Sequence, residues 1–507
     1  MASNNLGICG QCRQRVPAEF VVRDGKVYLH KQCPSCGTSE SLVSNDAGAW
    51  QGKRDLWHYD RNSHGSCSLQ CDRCHTDHKP TIVFVDVTNR CNMNCPICIA
   101  NIHSMGFDFH PPLAYFEKVF REIGTYDPSP MVQLFGGEPT VRNDLVEIVN
   151  LARTYRVSTR IVTNGLRLAD EDYCRKLCEA KVHFRLAFDG PNREVYQRLR
   201  KNPDAYDKKV KALANLKKWS KRKNTILCCA ARNVNDMYIG ELIQMCHDNM
   251  DIIDELGFLP LTENWESGTY ETEETTTCED AEHMVEQSVP GGEVEFFSAG
   301  LLHCMRTARS FFRSSKRSRY LQLGGDHPNC ETLAFLISDG QHYRSVNHYL
   351  KMRVSEIVEE LVRRARAIEP KLARLDPSKR LQRLRGQALV IRTFLPLAIR
   401  AADLRRIFKG SPPWAILKIL AGLAVGRPVR DVAAKHLTVG RLLPVFMLPF
   451  AEYRVIDAQR LAACKAVFAY EDVDTGRIRT SPACTWDLYR DQHLRRIAEK
   501  YGTAKKS

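Results

Sequence analysis

The chain has 507 residues, 43% of them hydrophobic and 26% charged. That is too long for one ordinary core and too apolar for a disordered chain, so two to four folded domains are expected. The formal net charge is +15, and +14 of it lies between Lys351 and Phe450; the rest of the chain is close to neutral, so an anionic partner should meet that stretch.

Of the 20 cysteines, ten lie in the first 98 residues, in CxxC and CxxxCxxC groups. The first residues carry no basic and then apolar run, and no apolar stretch of about 18 residues appears. The expectation is therefore a cytoplasmic protein without a transmembrane helix, whose clustered cysteines bind metal rather than pair as disulfides.

Residues 1–50 read as a small metal-stapled module. Cys9, Cys12, Cys33 and Cys36 form two CxxC pairs around a β-hairpin turned at Asp24-Gly25. Two such pairs indicate a tetrahedral site for zinc or rubredoxin-like iron, and Asp-Gly between β-rich runs is a hairpin signal. Residues 51–80 read as a polar connector followed by Cys67, Cys71 and Cys74 in CxxxCxxC spacing.

From 81 to 262, strand candidates at 81–87, 131–135, 159–163, 184–188, 225–231 and 252–260 alternate with amphipathic helical stretches. This predicts an α/β domain, a parallel sheet in a partial (β/α)6 barrel with its chemistry at the carboxyl ends of the strands. Residues 263–290 are acidic and threonine-rich and read as a loop. Residues 263–350 are taken as barrel completion, 351–450 as basic amphipathic helices, and 451–507 as a tail carrying Cys464 and Cys484 around a β-like run and a helix. The extension is thus α-rich and cysteine-bearing.

The first barrel strand runs directly into Cys91, Cys95 and Cys98. Three thiolates in CxxxCxxC spacing can hold one corner of a [4Fe–4S] cubane and leave one iron open; a zinc ion with a fourth, distant ligand is the alternative. Gly136, Gly137, Glu138 and Pro139 follow the second strand, Thr163 and Asn164 the third, Asp189 the fourth, and Asn233 and Asn235 the fifth. The two glycines would let backbone approach a ligand closely. Glu138 offers a carboxylate to an ammonium group, and Asp189 either contacts a ribose or caps a turn. Cys174, Cys178, Cys228, Cys229 and Cys246 fall in helix or strand patterns and read as inert core.

This ordered set resembles the radical S-adenosylmethionine (SAM) superfamily. The resemblance implies a cluster on Cys91, Cys95 and Cys98 whose open iron chelates SAM. It implies a GGEP loop at the SAM amino group, and reduction of SAM to a 5′-deoxyadenosyl radical that abstracts hydrogen. It also implies an electron donor such as flavodoxin or ferredoxin. The N-terminal module, the upstream triplet, Cys330 in His-Pro-Asn-Cys and the cysteine-bearing tail resemble the tetraether and membrane-spanning lipid synthases and the related pterin methyltransferase-like proteins. Cys36 stands where that branch often has histidine.

By this resemblance Cys67, Cys71 and Cys74 form an auxiliary [4Fe–4S] site, with zinc as the alternative. Its fourth ligand is sought among Cys330, Cys464 and Cys484, unless those three hold a third cluster with Cys304. The implied activity is C–H activation, joining or modifying lipid alkyl chains; the alternative is methyl or methylene transfer to a pterin or another small anionic substrate. A zinc-ribbon nucleic-acid-binding protein ranks last, because it leaves the strand-end series unexplained. The run from Gln387 to Gly410, apolar residues interleaved with arginine, suits either a helix at the cytoplasmic membrane face or a lid packed on the barrel.

Overall fold

The computed structural model describes residues 5–56, 67–74, 78–127, 129–261, 274–312, 324–424, 435–450 and 453–503. Two sheets organise it. The first is antiparallel, β1 (Leu6–Ile8), β2 (Arg15–Arg23), β3 (Lys26–Cys33) and β4 (Gly37–Ser44), in chain order. Asp24 and Gly25 both take positive φ, 50° and 71°, at the β2–β3 turn, the geometry that matches the twist of a two-residue hairpin.

The second sheet is mixed. Its centre is β5 (Ile82–Thr88), β6 (Met131–Gly136), β7 (Ser158–Thr163), β8 (His183–Ala187), β9 (Asn224–Ala230) and β10 (Ile253–Pro260), side by side in chain order and parallel throughout. These are the six strands expected, each within two residues at its ends. Their side chains, with the helices Leu113–Ile123, Leu145–Thr154, Glu171–Glu179, Ala205–Trp219 and Ile239–Asp248, form the main core. The helix stripes explain why: in Leu113–Ile123, Tyr115, Phe116, Val119, Phe120 and Ile123 are buried at three- and four-residue steps.

The sheet does not stop at six. β11 (Phe297–Ser298), β12 (Thr332–Ser338), β13 (Tyr343–Ser345), β14 (Leu442–Met447), β15 (Ala466–Glu471) and β16 (Ile478–Pro482) extend it. β14 adds parallel to β10 and β15 parallel to β5; β12 pairs antiparallel with β14 and carries β11 and β13 antiparallel beyond it, and β16 closes the other edge antiparallel to β15. The six-stranded expectation is corrected to this wider mixed sheet. β14 was unreadable in the basic stretch because Pro444 interrupts a short apolar run, and its partner β12 lies 110 residues earlier.

Two further expectations change. Residues 278–288, expected as loop, are a helix started by a capping box: Thr277 accepts from the Asp280 N–H and the Asp280 carboxylate accepts in return. Within the connector, 47–56 is helical, whereas 57–66 lies outside the described residues, as does 262–273 of the acidic run. The basic stretch holds helices at Val354–Leu372, Arg380–Ala401, Leu404–Ile407 and Pro412–Ala424 and ends in β14.

The N-terminal module is bolted to both ends of the second sheet's surroundings. The buried Lys31 Nζ donates to the carbonyls of Ile8 and Arg454 at 3.2 and 2.6 Å. Lys53, on the 47–56 helix, is buried between Glu279 and Glu282 at 2.9 and 2.8 Å. The C-terminal helix Trp486–Lys500 lies against β15, where Phe84, Phe468 and Trp486 stack in succession at 5.0 and 5.3 Å.

Candidate active site and metal centres

The carboxyl ends of β5 and β6 are pressed together. Gly137 N–H donates to Thr88 O, and Glu138 N–H to Arg90 O at 2.8 Å. A Cβ on Gly136 would stand 2.3 Å from Thr88 O, and one on Gly137 would stand 2.2 Å from Arg90 O. The glycines are therefore required by protein backbone, the cysteine loop itself, as well as by any ligand. Asn89 fixes the far side of that loop: its Nδ2 donates to Phe107 O and its Oδ1 accepts from Phe109 N–H.

Cys91, Cys95 and Cys98 line one cavity of about 200 Å³ together with Gly136, Gly137, Glu138, Thr163, Asn164, Arg200 and Lys209. Glu138 is almost fully buried. Its Oε1 accepts from the Thr140 N–H, the Thr140 hydroxyl and the Thr163 hydroxyl, and its Oε2 from the Asn164 N–H. Four donors fix the carboxylate, and only Oε2 keeps acceptor capacity for a cation in the cavity. Burial, with the charge of Glu138 nearby, pushes the Cys91 thiol up to about 12, so a metal entering there displaces a proton.

Some expected residues do not face this cavity. The buried Asp189 carboxylate takes both arms of Arg200, at 2.9 and 3.0 Å, and the Cys229 N–H at 3.1 Å. It neither presents to a ribose nor caps a turn: it aims Arg200, which sits against the Cys95 sulfur and keeps that thiol from rising as far as burial alone would take it. Asn235 staples the ends of β8 and β9, its Nδ2 donating to Asp189 O and Cys229 O at 2.8 Å. Asn233 lines a separate surface hollow. Pro139 starts a buried 3-10 turn behind Glu138.

Arg200 and Lys209 were missed from sequence. Lys209 is fully buried, donating to Asn164 O and Ala187 O at 2.6 Å, and burial lowers it to about 8. Its signal was present: a lysine on the apolar stripe of the Ala205–Trp219 helix, in line with Ala205, Ala212 and Leu216. Arg200 ends a helix whose Tyr196 and Leu199 point inward, and no spacing marks it.

Ten of the other cysteines assemble into three groups. The Sγ atoms of Cys9, Cys12, Cys33 and Cys36 all lie within 4.8 Å of one another, which fits one tetrahedral ion with metal–sulfur bonds of about 2.3 Å. Against the desolvation of burial, the N–H groups of Cys12 and Gln11 bring Cys9 down to about 6. Cys67, Cys71 and Cys74 lie within electrostatic reach of one another, and Cys74 Sγ meets Nε2 of the buried His78 at 3.2 Å. His78 was not singled out from sequence.

Cys330 and Cys484 lie against the guanidinium of Arg460, and Cys464 lies within electrostatic reach of both thiols. Cys304 is not with them; it lies beside Arg366 and Glu369. Cys484 also packs in the apolar cluster that contains Cys67 and Cys71. A second, smaller cavity of about 70 Å³, lined by Phe20, Trp50, Thr275 and Arg460, shares Pro260 and Phe450 with the first.

Residues 85–246 match the radical SAM superfamily, and residues 2–45 match the HMPTM N-terminal zinc ribbon domain. Over 274 residues the chain is 31% identical to 7,8-dihydro-6-hydroxymethylpterin dimethyltransferase of Methanocaldococcus jannaschii, covering 52% of this chain and 54% of that protein. Over 162 residues it is 28% identical to Fe-coproporphyrin III synthase of Methanosarcina barkeri, covering 32% and 40%. The chain thus spans about half or less of these relatives' lengths. Among solved structures it is similar to Streptococcus suis SuiB bound to S-adenosylmethionine, with a TM-score of 0.34, 15% identity, and 53% and 68% of the two chains covered.

Proposed function

We propose that this chain, whose residues 85–246 match the radical SAM superfamily, is a radical SAM enzyme that activates an inert C–H bond in the cavity lined by Cys91, Cys95 and Cys98. The observation that carries this is the meeting, in one cavity, of three thiols, a fixed carboxylate and a buried guanidinium. The donor set fits a [4Fe–4S] cluster with SAM, which when bound supplies a 5′-deoxyadenosyl radical. Cys91, Cys95 and Cys98 would hold the cluster. Glu138, through Oε2, would orient the SAM ammonium group, and Arg200, aimed by Asp189, would take its carboxylate. Lys209 ties the third and fourth strand ends together and keeps that frame rigid.

We further propose that Cys9, Cys12, Cys33 and Cys36 hold zinc or iron, that Cys67, Cys71 and Cys74 hold an auxiliary cluster, and that Cys330, Cys464 and Cys484 hold a third beside Arg460. The substrate we propose is a lipid alkyl chain. Supporting this, Ile97, Ile99, Leu227, Leu259, Leu261 and Phe450 form an apolar wall to the cavity, and the second cavity adjoins it. Joining two chains takes one hydrogen atom from each. It consumes two SAM and two electrons from an external donor of the flavodoxin or ferredoxin type, and releases two 5′-deoxyadenosine and two methionine.

The zinc-ribbon match and the pterin-modifying relative favour a second reading, methyl or methylene transfer to a pterin. One experiment separates them. Anaerobically reconstituted enzyme is given SAM, reductant and either a chain-deuterated phospholipid or an unlabelled pterin. Deuterium in 5′-deoxyadenosine supports the lipid reading; methylated pterin with no deuterium transfer supports the other. Unchanged 5′-deoxyadenosine production by Cys91→Ala would sink both.

A further inference from the structure

Eight of the fourteen large apolar side chains exposed among the described residues fall in one short stretch, Leu381 to Leu417. The helix Arg380–Ala401 explains why. It has two apolar faces. Gly386, Val390, Leu397 and Ala401 are buried, and Gly386 lies so close to the Phe311 ring that a Cβ there would stand 2.2 Å from it. That face packs with Phe311 and with Ile368 and Leu372 of the Val354–Leu372 helix, in a cluster apart from the barrel core. The other face, Leu381, Leu384, Ala388, Ile391, Leu395 and Ile399, recurs at three- and four-residue steps and is exposed throughout. Leu381 is 74% exposed, and Trp414 on the following helix is 65% exposed.

The charge around this stripe has one sign. Residues 377–418 hold ten Lys and Arg against one acid, Asp403, and Arg385, Arg392, Arg400, Arg405, Lys409 and Lys418 are exposed. A second copy would bring the same cations face to face, so self-association through the stripe is opposed by repulsion. Among the described residues, no helix is long and apolar enough to cross a membrane. What remains is an apolar stripe about 27 Å long, flanked by cations and accompanied by the exposed Trp414 on the Pro412–Ala424 helix, which is the make-up of a helix lying in a bilayer surface.

We propose that the Arg380–Ala401 and Pro412–Ala424 helices dock the protein on an anionic phospholipid surface. Leu381, Leu384, Ile391, Leu395, Ile399 and Trp414 would enter the acyl boundary, and the arginines would meet headgroup phosphates. The proposal stands on this surface alone and does not depend on which bond the enzyme makes.

The test is vesicle flotation with the full, metal-loaded chain, using phosphatidylcholine vesicles with and without phosphatidylglycerol. Binding is expected only with phosphatidylglycerol and should weaken with added salt. Two variants should each lose about tenfold or more of that binding, Leu384→Glu/Ile391→Glu/Leu395→Glu and Arg385→Glu/Arg392→Glu/Arg400→Glu. The altered side chains are exposed, so wild-type iron content and circular dichroism should persist in both. No binding to phosphatidylglycerol vesicles, or equal binding by both variants, overturns the proposal. So does a wild-type dimer that Ile391→Glu dissolves, which would assign the stripe to a second copy, or salt-sensitive capture of an acidic protein with no vesicle binding. Loss of 5′-deoxyadenosine formation with vesicle binding intact would instead count against the catalytic reading.

Discussion

Trp486 Nε1 donates a 2.8 Å hydrogen bond to Oδ2 of Asp86, 400 positions away and fully inside the molecule. Asp86 lies on the strand that leads into Cys91, so this bond ties the C-terminal helix to the backbone that positions the candidate cluster ligands. Burial raises the Asp86 carboxyl to about 6, with Arg490 and Trp486 holding it from going higher.

The sign of the pH effect follows. Between about 4 and 6 the folded chain keeps a proton on Asp86 that the unfolded chain has lost, so this group's contribution to stability falls as pH rises through that window. Trp486→Phe removes a donor to the charged form. Its cost, about 1–3 kcal/mol, should therefore be larger at pH 8 than near pH 6, as read by urea unfolding at both. An equal cost at the two pH values would show that the bond does not sense the charge on Asp86.

Gly137→Ala puts a methyl group 2.2 Å from Arg90 O. The strand end and the cysteine loop must then separate. The variant should retain the metal of the N-terminal module and lose iron from the Cys91, Cys95 and Cys98 site, measured by metal analysis and by the electron paramagnetic resonance of the reduced protein. Full iron content would contradict the close packing.

Glu138→Gln replaces an acceptor-only group by one that must point an N–H₂ at a donor, either the Asn164 N–H or the threonine hydroxyls. SAM binding should weaken by about tenfold or more while iron content is kept. A wild-type SAM affinity would remove Glu138 from the site.

Lys53→Met leaves Glu279 and Glu282 buried and unpaired beside each other. The loss should be about 3–5 kcal/mol, seen as a lower denaturation midpoint, and Lys53→Met/Glu282→Leu should recover part of it. An undestabilised single variant would mean that the module is held to the second sheet by its apolar contacts.

Much of this protein was legible in the chain because its signals are local. Cysteine spacing sets which thiols can share an ion, and Cys9, Cys12, Cys33 and Cys36 meet as read. Alternating strands and amphipathic helices set a parallel sheet, and a site at strand ends follows, which is why Gly136, Gly137, Glu138, Thr163 and Asn164 line the cavity with the three cysteines. Tertiary structure alone decided what depends on distant partners. Asp189, read as a ribose contact or a turn cap, pairs with Arg200, and Asn235 bridges the ends of β8 and β9. Cys330 meets Cys464 and Cys484 from more than a hundred residues away in the chain, and β14 and β15 join the central sheet only because β10 and β5 have open edges there. The Arg380–Ala401 helix carries two apolar faces that periodicity merges into one; only packing on Phe311 shows which is spent and which is left exposed.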